Sequence, residues 1–159
     1  MKSILELNVD LERASKKIID NLKNAQQETA RDIWNEVVST APMKTGEFIS
    51  SIEVSPTEKN GNEIRTTIGS KMTVTSLSGK EYNLGQLLET GTRPHKIIAV
   101  NSKVLTDGEN FFGKEVNHPG TKATNFYRNA LNRNKTNYKN KISKAIKEGM
   151  KWERLYRVN

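Results

Sequence analysis

A long apolar stripe at helical spacing occupies the first quarter of the chain and restricts its fold more than any other feature. The stripe follows Asp10 and comprises Leu11, Ala14, Ile18, Leu22, Ala25, Ile33 and Val37. Side chains at three- and four-residue steps lie on one side of an α-helix. With Asp10 as the N-cap and Pro42 as the stop, the pattern predicts a helix over 10–40, about 45 Å long at ~1.5 Å per residue.

A second stripe widens the apolar face of this predicted helix. It comprises Ile19, Ala30, Trp34 and Val38. Either one stripe packs on the sheet of the same subunit and the other meets a neighbouring molecule, or both stripes enter a single core. Periodicity favours neither arrangement.

Residues 47–120 have the pattern of a β-rich region. The segments 48–54 and 63–68 alternate loosely and flank a stretch that contains Pro56 and Asn60-Gly61, which predicts a β-hairpin. A β-branched patch at 72–77 follows, and then a short piece at 82–89 that is helical or extended. This part of the chain is predicted to form a small antiparallel sheet.

A second hairpin is predicted between residues 91 and 120. Two apolar runs, 97–100 and 111–116, lie on either side of the turn residues Asp107-Gly108. Because most of the surrounding residues are polar, we expect a protruding loop over 100–117.

Helical spacing returns from about Thr124. The apolar positions there are Phe126, Ala130, Leu131, Tyr138, Ile142, Ala145, Ile146 and Met150. The asparagine-rich stretch 132–140 and Gly149 weaken this helix, which is predicted over 124–150 and followed by a tail. The fold class is therefore predicted as α+β: a long N-terminal helix, a small antiparallel sheet with hairpins and a basic C-terminal helix, in a single domain over 1–159.

The excess positive charge lies in the last quarter of the chain. The net charge is +8; residues 1–120 contain 15 basic and 16 acidic side chains, whereas residues 121–159 contain 11 and 2. Charge of one sign attracts nucleic acid or an acidic protein, or is simply solvated. We expect Lys135, Lys139, Lys144 and Lys147 to face either DNA in a channel or an acidic partner.

Composition excludes several classes of protein. The chain has no Cys, which rules out disulfide scaffolds, thiolate metal sites and cysteine nucleophiles. No stretch approaches the ~18 to 20 apolar residues that cross a bilayer, and the N-terminus has no apolar core of a signal peptide. We expect a soluble, unprocessed protein without a membrane partner.

The two histidines are the residues from which an enzyme would be built. A metal site would have to combine His95 and His118 with Asp107, Glu109 or Glu115, but no pair has metal-ligand spacing and both histidines lie beside proline. No nucleophile elbow or phosphate loop is present either. We expect no enzyme activity, no catalytic or metal-binding residue and no cofactor.

Three segments, taken in order, resemble one family. The first is Ala41-Pro42 followed by Thr45-Gly46 and Ser51-Ile52; the second is Tyr82 followed by Leu88-Glu89-Thr90-Gly91-Thr92. The third is His118-Pro119-Gly120 followed by Phe126 and Ala130-Leu131. Together they resemble the neck or tail-completion proteins of tailed double-stranded DNA phages, also described as minor head-to-tail joining proteins. One departure is Asn125, where the family often has proline.

The matched residues are expected to stabilise turns and the core rather than to form a catalytic site. The set is Pro42, Thr45, Gly46, Glu89, Gly91, Thr92, His118, Pro119, Gly120 and Phe126. Gly46 and Gly91 are expected where the chain reverses, because glycine adopts positive φ without steric cost. A surface ion pair is expected between Glu89 and Arg93.

The resemblance implies a structural protein of the virion, made in the host cytoplasm. It implies a homo-oligomeric ring, a hexamer, that continues the DNA channel between head and tail and contacts head-completion and tail-tube or tail-terminator proteins. Phe111 and Phe112, near the tip of the protruding loop, are the predicted docking residues for the adjacent ring. The alternatives are a tail terminator and a small basic DNA-binding accessory protein.

Overall fold

The computed structural model describes residues 4–10, 16–42, 46–76, 79–99, 103–106 and 108–156. The elements in these ranges are, in chain order, β1 (Ile4–Asp10), α1 (Lys16–Thr40), α2 (Glu47–Ser50), β2 (Ile52–Val54), β3 (Glu58–Asn60), β4 (Glu63–Ser70), β5 (Thr73–Thr75), β6 (Glu81–Asn83), α3 (Leu84–Thr90), β7 (His95–Ile98), β8 (Leu105–Thr106), β9 (Phe111–Gly113), β10 (Glu115–His118) and α4 (Phe126–Tyr156). The long first helix, the antiparallel strands and the long last helix confirm the predicted α+β class.

The first helix begins later than its sequence pattern predicted. Asp10 is not a helix N-cap: it is the last residue of β1, where it pairs with Glu63 of β4. The helix is Lys16–Thr40, and residues 11–15 lie outside the described residues. The alternation of Leu5, Leu7 and Val9 has the period of a strand, and β1 uses it to pair with β4 from Ile4 to Asp10.

Strand β4 is the centre of the largest sheet. Its neighbours are β1 on one side and β2 and β3 on the other, all antiparallel. Ile64, Thr66 and Ile68 are buried and alternate with more exposed residues, as expected for a sheet with one face on the core. The predicted pairing of the segments 48–54 and 63–68 is confirmed for β2 and β4. Within the stretch predicted as the turn, β3 forms a tighter hairpin with β4, whose loop is the two residues between Asn60 and Glu63.

The segment before β2 is helical where a strand was predicted. Residues 47–50 form α2, and the strand begins at Ile52. Gly46 has φ 78°, and its carbonyl accepts a hydrogen bond from the Ser50 N–H at 3.0 Å, so the chain turns before the strand starts. This turn buries Phe48 in the core.

Helix α1 lies against both the sheet and α4. Its buried face includes Leu22, Ile33 and Val37, which join core residues from β4 and α4. Two polar side chains fix α1 on the sheet: the Gln26 Nε2 donates to the Ile64 carbonyl at 2.9 Å, and the Trp34 Nε1 donates to the Ile52 carbonyl at 2.8 Å. The second apolar stripe therefore contributes at least Ala30 and Trp34 to the same core.

An acidic row on α1 faces α4, which runs in the opposite direction. Arg133 Nη1 lies 2.6 Å from Glu36 Oε1, and Lys141 Nζ lies 2.7 Å from Asp32 Oδ2. The Asn134 amide donates to the other oxygen of Glu36 at 2.8 Å. Part of the basic charge of the C-terminal segment is therefore paired within the subunit.

The predicted second hairpin is confirmed and has two parts. Its base is β7 paired with β10, and its outer part is β8 paired with β9. Residues 100–102 and 107, which belong to the predicted loop 100–117, lie outside the described residues. We call the segment from β7 to β10 the ribbon. A further small hairpin joins β5 to β6, and α3 follows directly.

The last helix is longer than predicted. It begins at Phe126 rather than near Thr124, is helical through the asparagine-rich stretch and continues to Tyr156. Packing against α1 outweighs the weak helix propensity of the asparagines. Among the described residues, no helix has the length and apolarity needed to span a membrane.

Candidate functional site

The second and third family-like segments meet in one backbone junction between α3 and α4. The Thr92 N–H donates to the Thr121 carbonyl at 2.9 Å, and the Thr121 N–H donates to the Thr92 carbonyl at 3.2 Å. The Thr121 N–H is also 2.9 Å from the Thr92 Oγ1. This two-way bridge closes the ribbon at its base.

Two glycines permit this close approach. Gly91 has φ 70° and Gly120 has φ 84°, a region that side chains with a Cβ rarely adopt. A Cβ on Gly91 would lie 2.2 Å from the Thr121 carbonyl oxygen, and a Cβ on Gly120 would lie 2.2 Å from the Thr92 carbonyl oxygen. Both glycines are therefore required by contact as well as by conformation.

Glu89 caps the start of α4. Its two carboxylate oxygens accept hydrogen bonds from the Tyr127 N–H at 2.9 Å and the Arg128 N–H at 3.1 Å. The expected ion pair with Arg93 was wrong, because the carboxylate turns instead toward the positive end of a helix with free N–H groups. A residue on α3 thus fixes the position of α4.

His118 and His95 lie opposite each other at the base of the ribbon. Their ring centroids are 5.0 Å apart. The His118 Nδ1 accepts from the Gly120 N–H at 3.0 Å, which places the ring proton of the neutral form on Nε2. The His95 Nδ1 is 2.9 Å from the Arg93 carbonyl and donates to it. Both rings thus have backbone partners in the turns that flank the ribbon.

The described residues contain no group of three or more metal-ligating side chains. His118 would have to give up its Gly120 bond to present a lone pair on Nε2 to a metal. The geometry therefore favours a turn-stabilising role for this histidine.

The first family-like segment reaches the same region through the core. Phe48 of α2 and Phe126 of α4 are both buried, with ring centroids 6.0 Å apart in an edge-to-face arrangement. Pro42 is half-buried just after α1, and Thr45 lies outside the described residues. All three segments are thus connected to the start of α4.

Asn125, the departure from the family pattern, has φ 52°. Proline cannot adopt this φ because its ring holds φ near −65°. Asparagine tolerates the left-handed region, and here the Asn125 N–H donates to the Glu89 carbonyl at 3.1 Å. The entry into α4 therefore differs locally from one that carries proline.

The predicted docking residues project from the outer part of the ribbon. Phe111 is 78% exposed and Phe112 is 47% exposed. The register of β8 with β9 shifts here: Thr106 pairs with Phe111 and Leu105 pairs with Gly113, so Phe112 is an extra residue of β9. A two-stranded ribbon alone is marginally stable in water, and its exposed apolar rings are suited to contact with another chain.

The four predicted lysines are exposed but do not form one face. Lys135 and Lys139 are neighbours on one flank of α4, because residues four apart lie one above the other. Lys144 is five residues beyond Lys139, about 140° around the helix. Its amine lies 3.9 Å from Glu148 in a polar groove beside α1. Lys147 is exposed and does not line this groove.

Two tyrosines of α4 have raised pKa values. Burial raises the pKa of Tyr127 to about 12, and the nearby charge of Glu89 adds to this effect. The Tyr127 hydroxyl lies near the Ser70 backbone without forming a hydrogen bond of good geometry. Burial also raises the pKa of Tyr138, which is half-buried with its hydroxyl enclosed.

Glu89 was named from the sequence but its role as a cap was missed, and Asn83 was not named. Glu89 and the α4 N–H groups are 38 and 39 residues apart, and no local pattern reveals such a pair. Asn83 caps α3 by accepting from the Gln86 N–H at 3.0 Å and also donates to the Ser70 carbonyl at 2.8 Å. An Asn followed by Gln three residues later is a recognisable helix-start signal.

Comparison with known proteins identifies the family. No curated protein and no solved structure matches this chain. The family model described as "Bacteriophage HK97-gp10, putative tail-component" matches residues 6–91, more than half of the 159 residues. The match includes the first family-like segment and the second as far as Gly91, and it confirms the resemblance. The chain therefore belongs to the HK97-gp10-like family of phage tail components.

Proposed function

We propose that this tail component is a ring-forming tail-completion protein that joins head to tail and continues the DNA channel between them. Its function then depends on surfaces that contact other proteins, without a catalytic site or a cofactor. Head-completion and tail-tube or tail-terminator proteins are the proposed neighbours, and a hexamer is the proposed ring.

The observation that carries this proposal is the convergence of the family-like segments on one structural junction. Glutamate and histidine are side chains that enzymes use for catalysis, but here both bind backbone N–H groups. Glu89 caps α4, and His118 accepts a hydrogen bond from the Gly120 N–H. The junction fixes the base of the ribbon relative to α3 and α4. A rigidly held, protruding ribbon is suited to joining subunits or rings.

The proposal also includes a role for the basic residues of α4. Lys135, Lys139, Lys144 and Lys147 face either DNA that passes through the channel or an acidic partner. If they contact DNA, affinity for duplex DNA falls steeply as salt increases, because each phosphate contact releases counterions. A purified ring without salt-sensitive DNA binding assigns these residues to a protein partner or to solvent.

The decisive experiment is to silence the gene in its phage and to examine the lysate by negative-stain electron microscopy. We expect DNA-filled heads and finished tails that remain separate. The matched control is the same silenced phage supplied with the wild-type gene from a plasmid, which should restore joined virions.

Two other outcomes would assign another function. Tails of uncontrolled length would identify a tail terminator. Intact, infectious virions would contradict a joining role and favour a small basic DNA-binding accessory protein. In that case the isolated chain should bind duplex DNA at sub-micromolar concentration in a fluorescence anisotropy titration.

A further inference from the structure

We infer that the outer face of α4 binds the phosphate backbone of duplex DNA without reading its sequence. This inference rests on the proposed function and assigns three of its four α4 lysines to DNA instead of to an acidic protein. The face, here called the basic face, consists of exposed residues: Asn132, Lys135, Thr136, Lys139, Asn140, Ser143 and Lys147.

The basic face lies on the side of α4 that is turned away from α1. Its members lie within about 140° around the helix axis and extend over about 22 Å along it. On the opposite side of the helix, Asn134 binds Glu36 and Lys141 binds Asp32, both residues of α1. Packing within the subunit therefore leaves the basic face on the surface.

The helix surface around the basic face is free of negative charge over a long stretch. From Phe126 to Lys147, α4 contains seven basic and no acidic residues, and Glu148 is its first acidic one. Ion pairs neutralise three of the seven, namely Arg133, Lys141 and Lys144. Arg128 lies in the first turn, whose N–H groups bind the carboxylate of Glu89.

The remaining three basic residues are the lysines of the basic face. Lys135, Lys139 and Lys147 form no ion pair with the described residues. Lys135 and Lys139 are four positions apart, a spacing at which like charges on a helix repel each other. A bound anion would remove this repulsion, so the basic face is suited to a negatively charged ligand.

The residues between these lysines can donate hydrogen bonds to the same ligand. Asn132 and Asn140 have amide groups, and Thr136 and Ser143 have hydroxyl groups. Together with lysine and arginine, such side chains supply many of the contacts to phosphate and sugar in protein–DNA complexes. The basic face thus combines the positive charge and the neutral donors that bind phosphodiester groups.

An acidic protein is a poorer match for the basic face. The cores of protein–protein interfaces are enriched in aromatic residues, methionine and arginine, and depleted in lysine and serine. The large exposed apolar residues of α4, Ile146 and Met150, lie at its C-terminal end, and the fully described stretch 132–145 has none. A protein partner would therefore meet charge without an apolar anchor over most of the basic face.

The composition of the basic face also favours a duplex and contact that is independent of sequence. The face has no aromatic side chain on which an unpaired base could stack. Its cations are all lysines, which bind phosphate as point charges, whereas guanine is most often read by arginine. Contact of this kind lets DNA slide along a protein, as the proposed channel requires.

The test is a fluorescence anisotropy titration of a short labelled duplex with the purified full chain at several salt concentrations. Wild type should bind with a Kd between about 10⁻⁴ and 10⁻⁶ M at physiological salt, the range of non-specific binding. Lys135→Gln, Lys139→Gln and Lys147→Gln are then combined in one variant. The slope of log K against log salt should become shallower by about 2.7 in this variant, because each phosphate contact contributes about 0.9.

The matched control combines Lys59→Gln, Lys71→Gln and Lys114→Gln. These lysines are exposed and lie outside α4, so the control loses the same net charge. Its slope should stay close to that of wild type, and duplexes of two unrelated sequences should bind with the same affinity. Mass photometry and thermal unfolding check that both variants keep the oligomeric state and the fold of wild type.

Several results would overturn the inference. Equal changes of slope in the two variants would indicate diffuse attraction of DNA to the net charge of the protein. An unchanged slope in the basic-face variant, or no binding of the duplex by wild type at low salt, would leave an acidic protein as the partner. Tighter binding of the corresponding single strand would exclude the duplex as the preferred ligand.

The same basic-face variant, introduced into the phage, separates this inference from the proposed function. Because its ribbon and its junction are unchanged, we expect joined heads and tails in electron micrographs. Separate heads and tails would assign the basic face to a protein partner and overturn the inference, while they would support the joining role. Normal virions after gene silencing would reject the proposed function whatever the anisotropy shows.

Discussion

At the scale of the single residue, Gly91 and Gly120 determine how closely the two ends of the ribbon approach. Each glycine lies against a carbonyl oxygen of the opposite chain segment, and each has positive φ. Other glycines, such as Gly79, have positive φ but no atom near their missing side chain. A side chain at Gly79 would therefore meet only an unfavourable backbone conformation, whereas a side chain at Gly91 or Gly120 would also clash with the opposite segment.

Gly91→Ala is expected to lower the free energy of unfolding by about 2–4 kcal/mol. Positive φ contributes about 1–2 kcal/mol and overpacking about 1–3 kcal/mol. Gly79→Ala has only the first cost and is expected to lose about 1–2 kcal/mol. Urea denaturation of both variants checks the difference, and equal losses would contradict the tight contact at Gly91.

Tyr127 makes stability depend on alkaline pH. The pKa of Tyr127 is raised from 10.0 to about 12 in the folded protein, so the folded state retains a proton that the unfolded state has lost between these values. The contribution of Tyr127 to the free energy of unfolding is therefore complete below pH 10 and is lost as pH rises toward 12. The free energy of unfolding should decline over this interval.

Tyr127→Phe should make this decline shallower. Because the Tyr127 hydroxyl has no hydrogen-bond partner, its removal should leave stability at neutral pH unchanged within about 1 kcal/mol. Tyr82→Phe is the control, since Tyr82 is exposed. Chemical denaturation from pH 8 to 11.5 measures both, and an unchanged decline in the Tyr127 variant would refute the assignment.

At the scale of the element, the position of α4 depends on contacts at both ends. Its first turn is capped by Glu89 of α3, and its last described buried residue, Gly149, lies against Ile18 of α1. Ion pairs with Asp32 and Glu36 lie between these points. The helix is thus fixed by residues that are distant in the chain.

Glu89→Gln should weaken the start of α4. The amide keeps one acceptor oxygen but loses the negative charge at the helix N-terminus, so a loss of about 1–2 kcal/mol is expected. Glu81→Gln, at an exposed strand position, should change stability by less than about 0.5 kcal/mol. Thermal unfolding monitored by circular dichroism compares the two, and a loss no larger than that of the control would argue against the cap.

Gly149→Ala should destabilise the protein although alanine favours helices. The new Cβ would lie 2.5 Å from the Ile18 Cγ1 and 3.0 Å from the Ile18 Cα. The clash is expected to outweigh the propensity gain of about 1 kcal/mol and to cause a net loss of about 1–2 kcal/mol. Ser143→Ala, exposed on the same helix, should instead raise stability slightly; a gain in both variants would exclude close packing at Gly149.

The sequence predicted those elements that depend on a local pattern, such as helical periodicity or turn residues. Periodicity predicted both long helices, and alternation with turn residues predicted the pairing of β2 with β4 and the ribbon. The predicted start of the first helix at Asp10 was wrong. The apolar residues just before the helix, Leu11 and Ala14, have helical spacing, and the alternation in β1 was too short to indicate a strand. The partners of Glu89 depend on contacts nearly 40 residues apart, which periodicity does not encode.

At the scale of the whole molecule, the ribbon is separate from the core that stabilises the fold. The core joins α1, α2, β2, β4 and α4, whereas Phe111 and Phe112 are exposed. Substitutions in the ribbon should therefore affect assembly and leave folding unchanged. The candidate surface was predictable because its apolar residues lie in a polar segment, whereas the extra residue at Phe112 is visible only from the strand pairing.

Phe111→Ala combined with Phe112→Ala should keep the unfolding transition within about 0.5 kcal/mol of wild type. The same variant should reduce phage titre to that of the silenced gene, because the ribbon loses both of its aromatic contacts. Tyr82→Ala, an exposed aromatic outside the ribbon, is the control and should preserve titre. An unchanged titre in the double variant would remove the docking role from these residues.

The bridge between Thr92 and Thr121 ties both ends of the ribbon together at one point. The ribbon is therefore a loop whose two ends are held together at the body of the molecule, whatever the sequence or length of its outer part. Closing a longer loop adds little entropy cost, since each doubling costs only about 0.6 kcal/mol. We therefore expect that tips of different sequence or length can be exchanged on an unchanged body at little cost in stability.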